Sequence, residues 1–71
     1  MTPIEIKTPF ITLGQLIKYI NLASSGGEVK ALLASARIFV NDEPETRRGK
    51  KCYPGDRIQI NADTWCIMPC R

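Results

Sequence analysis

The spacing of apolar residues changes once along this chain, and that change limits its fold more than any other feature. From Leu13 to Ala36 the apolar positions recur every three or four residues, and from Ile38 onward they alternate. The first pattern belongs to helices that bury one stripe, the second to strands that bury one face. A chain of 71 residues has apolar material for only one core, so both kinds of element must share it. The expected architecture is a single α+β domain over residues 1–71, with two packed helices followed by a small antiparallel sheet of four or five short strands.

Ile4 and Ile6 alternate with Glu5 and Lys7, which predicts a short edge strand before Pro9. Thr12 and Gln15 have capping-box spacing, and Ile11 and Leu16 are placed as a hydrophobic staple over the same helix start. Leu13, Leu16, Ile17 and Ile20 then form one stripe, and the helix is expected to end near Leu22. Ser24 to Gly27 supplies a bend, Ser25 caps a second helix and Glu28 reaches back to it. Val29, Leu32, Leu33 and Ala36 are the second helix's stripe, packed against the first. Ile38 and Val40, the turn Asn41-Asp42 and Pro44 predict a hairpin. Tyr53-Pro54-Gly55-Asp56 suits a type II turn leading into a strand from Arg57 to Ile60, and Thr64 to Met68 forms a last strand.

The net charge of +3 is modest, but its distribution is uneven. Arg47, Arg48, Lys50, Lys51 and Arg57 fall in one short stretch with Asp56 as its only acid. Such concentrated positive charge costs stability unless an anion offsets it, which points to a polyanionic partner. Gly49 lets the backbone bend so that the cations on either side of it face one way. On the second helix, Lys30, Ala34 and Arg37 share a face with a small residue between two cations, a shape suited to lying along a phosphate backbone. Lys18 adds a cation from the first helix. Gly26 and Gly27 expose backbone amides to a phosphate oxygen, although the Glu28 carboxylate competes for the same place. The bland alternative for the basic run is a solvated loop.

Catalytic chemistry is poorly supplied. There is no histidine, and Asp42, Glu43 and Glu45 fall in a tight turn where acids are usually solvated. Cys52 lies among Lys50, Lys51 and Arg57, which would activate it if exposed, whereas a packed strand position would leave it inert. Three cysteines cannot all pair within one chain, and Cys66 and Cys70 would stand about 13 Å apart in an extended strand, so a thiol-reduced compartment is expected. No apolar run of about 18 residues occurs and Met1 to Lys7 lacks the order of a secretory signal. The expectation is a cytoplasmic monomer that is not an enzyme and has no metal, cofactor, small-molecule substrate or membrane partner. Phe10, Phe39 and Trp65 fit core positions and only Tyr53 is expected to be exposed, so recognition should read backbone and shape rather than base identity.

The order of elements and the stretches LGQLIKYINLASSGGEVKALLASARIFVN and RRGKKCYPGDRIQI resemble the RNA-binding domain named after ribosomal protein S-four, over roughly residues 11–60. The matching features include the helix-then-VN turn at Val40-Asn41 and the GD-hydrophobic ending at Gly55-Asp56-Arg57-Ile58. SGGEVK and ETRRGKK are most similar to the short stand-alone bacterial members, which consist of this domain and little else. The resemblance implies non-catalytic binding of structured RNA, with ribosomal RNA a candidate target. In that family the second helix opens with serine then arginine, with a further basic residue four positions on. Ser25 and Lys30 match, but Gly26 stands in the arginine's place, so part of its phosphate contact is expected to pass to the TRRGKK segment.

Two other classes compete. A sulfur-carrier-like protein shares the strand, helix and PGD turn but needs a carboxy-terminal Gly-Gly, where this sequence reads Met68-Pro69-Cys70-Arg71 and offers only a persulfide on Cys70. A protein-interaction adaptor would set the basic surface against an acidic protein. The reading favoured is RNA binding through Lys18, Lys30, Arg37, Arg47, Arg48, Lys50 and Lys51, with Gly26 and Gly27 as backbone contacts.

Overall fold

The capping box of Thr12 and Gln15 closes in both directions, with the Gln15 N–H donating to Thr12 Oγ1 (3.3 Å) and the Thr12 N–H to Gln15 Oε1 (3.0 Å). It starts helix α1, Leu13–Tyr19, and Ser25 caps α2, Gly26–Ser35, by accepting from the Glu28 N–H at 3.2 Å. Glu28 reaches back to the hydroxyls of Ser24 (2.8 Å) and Ser25 (3.5 Å), so its carboxylate sits over the start of α2. The strands are β1 Thr2–Ile6, β2 Ile11–Thr12, β3 Ile38–Val40, β4 Glu43–Pro44, β5 Lys51–Cys52, β6 Arg57–Ile60 and β7 Asp63–Pro69. This computed structural model describes residues 1–69. Cys70, with its proposed persulfide and its spacing to Cys66, lies outside the described residues.

The main sheet has the order β1-β7-β6-β3-β4, and β2 pairs separately with β5. The α+β class is as the sequence predicts, and β1 takes its expected edge position. The sheet is nevertheless mixed, because β1 runs parallel to β7 with Ile4 opposite Ile67, while the other pairs are antiparallel. A parallel pair needs a long crossover, which here is the rest of the fold, helices included.

Two helix ends differ from expectation. α1 stops at Tyr19 because Asn21 adopts a left-handed conformation (φ 62°). The Asn21 N–H donates to Lys18 O and the Leu22 N–H to Ile17 O, both at 3.1 Å, the paired bonds of a Schellman motif. α2 stops at Ser35, and Ala36 is already extended (ψ 157°), which carries Arg37 off the helix. Arg37 therefore does not share a helical face with Lys30 and Ala34. Its backbone joins the sheet end instead, its N–H donating to Asn61 Oδ1 at 3.2 Å.

Both stripes meet the sheet in one core. Leu13, Leu16 and Ile17 of α1 and Val29 of α2 are buried with Ile4 of β1, Ile58 and Ile60 of β6 and Ile67 of β7. The turn Asn41-Asp42 has two left-handed residues (φ 51° and 68°), the geometry of a two-residue hairpin whose twist matches its strands. Gly55 (φ 97°) supplies the left-handed position of the Tyr53–Asp56 turn, closed by the Asp56 N–H to Tyr53 O at 2.9 Å.

Candidate nucleic-acid interface

The first amides of α1 lack partners within the helix. The basic loop supplies two: the Leu13 N–H donates to Lys50 O at 2.8 Å and the Gly14 N–H to Arg48 O at 2.9 Å. Pairing of β2 with β5, Thr12 opposite Lys51, continues the attachment. The TRRGKK segment is thus fixed by its backbone to the amino terminus of α1 while the Arg48 side chain is left exposed. Gly14 makes the approach feasible, since a Cβ there would stand 3.3 Å from both Arg48 Cβ and Arg48 O.

From that anchor the Arg48 side chain reaches α2. Its Nη1 lies 3.9 Å from the place a Cβ on Gly26 would occupy, so the guanidinium fills space that a side chain at Gly26 would otherwise enter. Arg48 lines a groove of about 570 Å³ with Lys30, Ala34 and Thr46, and an adjoining one of about 240 Å³ with Lys18, Gly14 and Gly26. Lys18 and Lys30 therefore flank Arg48, one from each helix. Lys50, Lys51 and Arg47 border a further groove with Tyr53, continuous with the second through Gly49.

The remaining sequence-derived residues divide. Arg37 lines none of these grooves. Arg47 borders one but is bound by Glu45, with Nε and Nη2 donating to the two carboxylate oxygens at 3.1 Å each. That fork, together with the backbone N–H of Arg47, holds the Glu45 carboxyl down to about 2 from the ordinary 4.5. Among the described residues Arg48, Lys18, Lys30, Lys50 and Lys51 form no ion pair, so their charge is available to an external anion. Gly26 begins α2 beside the Arg48 guanidinium, while Gly27 is exposed under the Glu28 carboxylate's end of the helix.

The other reactive groups are occupied. Of the acidic cluster, Asp42 pairs with Arg57 at 2.8 Å and Glu45 with Arg47, while exposed Glu43 forms no ion pair among the described residues. Cys52 is fully buried, and burial pushes its thiol up to about 11, with Asp56 adding to the effect against Lys50. Cys52 thus takes the packed strand position that leaves it inert.

Aromatic residues were underestimated by the sequence. Trp65 packs half-buried against the core and Phe39 is half-buried in β3, but Phe10 is half-buried outside that core cluster and Tyr19 is exposed (62%) along with Tyr53. Phe10 packs against Tyr53 with centroids 5.8 Å apart, and Lys51 Nζ stands 4.9 Å from the centre of the Phe10 ring. The available signal was the position of Tyr19, off the Leu13–Leu16–Ile17–Ile20 stripe and next to Lys18.

Comparison with known proteins bears on the family. The chain is 48% identical over 58 residues to the "Probable ribosome maturation protein RlbA" of Bacillus subtilis (strain 168), covering 82% of each protein. A family model described as the S4 domain matches residues 4–68, which adds β1 and most of β7 to the stretch that carries the sequence motifs. A match over nearly the whole chain, joined to the two-helix and sheet order seen here, means that the chain belongs to the S4 domain family.

Proposed function

We propose that this protein is a non-catalytic RNA-binding protein that works as one domain in the cytoplasm, as a monomer, and grips structured RNA by its phosphates. The observation that carries this is the placement of Arg48, fixed through its carbonyl to Gly14 and flanked by Lys18 and Lys30 from different helices. An anchored cation loses less freedom on binding than one on a floppy loop, so it contributes more per contact. Lys50 and Lys51 extend the same surface, Arg47 contributes less because Glu45 holds it, and Arg37 lies off it. The ribosome-maturation name of the Bacillus relative makes ribosomal RNA, in the ribosome or its precursor, the target class to test.

The test is binding to structured RNA, duplex DNA and single strands across salt concentration. Engagement of about four to six phosphates gives a slope of about −3 to −5 in log affinity against log salt. Preference for structured RNA with that slope supports the proposal. Weak binding to all three nucleic acids, with tight binding to an acidic protein, would move the basic face to the adaptor class.

A further inference from the structure

Beside the cationic grooves lies a larger and less polar one, of about 750 Å³, lined chiefly by Pro9, Phe10, Ile11, Gln15, Lys18 and Tyr19. Phosphate recognition does not account for it. Its walls are joined by local contacts: Thr8 Oγ1 donates to Phe10 O at 2.7 Å, and the Phe10 ring meets Tyr53 and the Lys51 ammonium. Tyr19 projects from α1 with 62% of its surface exposed, a large apolar area to leave in water. Lys18 and Gln15 line both this groove and the smaller one that Arg48 lines, so the two meet at these side chains.

Resting on the RNA-binding reading above, we infer that this groove receives an unpaired base of the bound RNA, stacked on Tyr19 and Phe10, while Lys18 holds the adjoining phosphate. A base is flat and apolar on its faces, as the aromatic walls require, and it arrives on a chain of negative charge, as the bordering lysines require. An apolar peptide would satisfy the walls but leave Lys18 and Lys51 desolvated without a counter-charge. Recognition then combines phosphate contacts at Arg48 with one stacked nucleotide, where the sequence alone suggested shape and backbone only.

The test uses the full chain and two RNA hairpins that carry the same short single-stranded tail, one with bases and one abasic. The phosphates are equal, so the difference in affinity reports the bases. The wild-type protein should bind the base-bearing tail about ten-fold more tightly, within the range measured for stacking on one aromatic side chain. Tyr19→Ala, at an exposed position, should bind both hairpins with the affinity of the wild type for the abasic one, and Tyr19→Phe should keep the preference. Fluorescence of 2-aminopurine in the tail should be quenched by the wild type and by Tyr19→Phe but not by Tyr19→Ala. Equal wild-type affinity for the two tails, or an undiminished preference in Tyr19→Ala, overturns the stacked base while leaving phosphate binding intact. Failure of the wild type to bind either hairpin overturns the RNA-binding reading, and this inference with it.

Discussion

The Gly14 N–H donates to Arg48 O at 2.9 Å, and the missing side chain of that glycine is what lets the two backbones approach so closely. One contact thus joins the amino terminus of α1 to the residue that lines grooves with both Lys18 and Lys30. Gly14→Val would set a branched side chain against Arg48 Cβ and O, already 3.3 Å from an ideal Cβ. Overpacking of this kind costs about 1–3 kcal/mol. The expected outcome is a lower Tm by thermal denaturation together with weaker RNA binding. Arg48→Ala, which keeps the carbonyl, should keep the wild-type Tm.

Asn41 and Asp56 link the two turns that carry the VN and GD residues. Asn41 Nδ2 donates to Asp56 Oδ1 at 3.0 Å, the Arg57 N–H donates to Asn41 Oδ1 at 2.9 Å, and Asp56 Oδ2 accepts from the Tyr53 N–H at 2.8 Å. Asn41 is also left-handed, with φ 51°. Asn41→Ala removes two hydrogen bonds and a residue tolerant of that conformation, and should destabilise the fold by about 2–3 kcal/mol. Asn41→Gly should recover part of that loss. Chemical denaturation that ranks the glycine variant no better than alanine would show that conformation contributes nothing here.

The Glu45–Arg47 pair makes a prediction about acid. Because the folded carboxyl is lowered from 4.5 to about 2, chiefly by the Arg47 hydrogen bond, its stabilising effect is complete above 4.5 and is lost as pH falls toward 2. NMR should show the amides of Thr46 and Arg47, which donate to Glu45 Oε2, titrating with a midpoint near 2. Glu45→Gln should abolish that titration, free Arg47 and strengthen RNA binding a few-fold, with the salt slope steeper by about 1. Unchanged affinity would mean that Arg47 points away from the RNA.

Cys52 should be inert. Its burial and its thiol pushed up to about 11 predict negligible alkylation of the folded protein at neutral pH and rapid alkylation once it is unfolded. Peptide mapping after iodoacetamide treatment reads this directly. Modification of Cys52 as fast in the folded as in the unfolded state would contradict its place in the core.

What the sequence revealed and what it concealed divide along the range of the interactions. The Thr12–Gln15 capping box, the Ser25 cap and the Asn41-Asp42 turn are local, and local spacing was enough to find them. Leu22 prolongs the apolar pattern beyond the true end of α1, where the left-handed Asn21 terminates the helix. Arg37 was set on α2 because Ala36 continues the stripe, but pairing of Ile38 with Ile60 draws the chain into the sheet first. The parallel union of β1 with β7 and the seat of Arg48 on Gly14 join segments distant in sequence, and no periodicity records them. The cations of the proposed site are legible as a list; the grooves that bring Arg48 together with Lys18 and Lys30, the position of Arg37 outside them and the adjoining aromatic groove are not.

The most direct measurement compares Arg48→Glu with Arg57→Glu in binding to structured RNA at fixed salt, with folding of both confirmed by circular dichroism. The two variants change net charge equally, but Arg57 is paired with Asp42 and lines none of the cationic grooves. Arg48→Glu should lose more than about ten-fold in affinity, as for a charged contact worth about 1.4 kcal/mol or more, while Arg57→Glu should lose far less. Equal losses in the two variants, or none in Arg48→Glu, would contradict a binding face centred on Arg48.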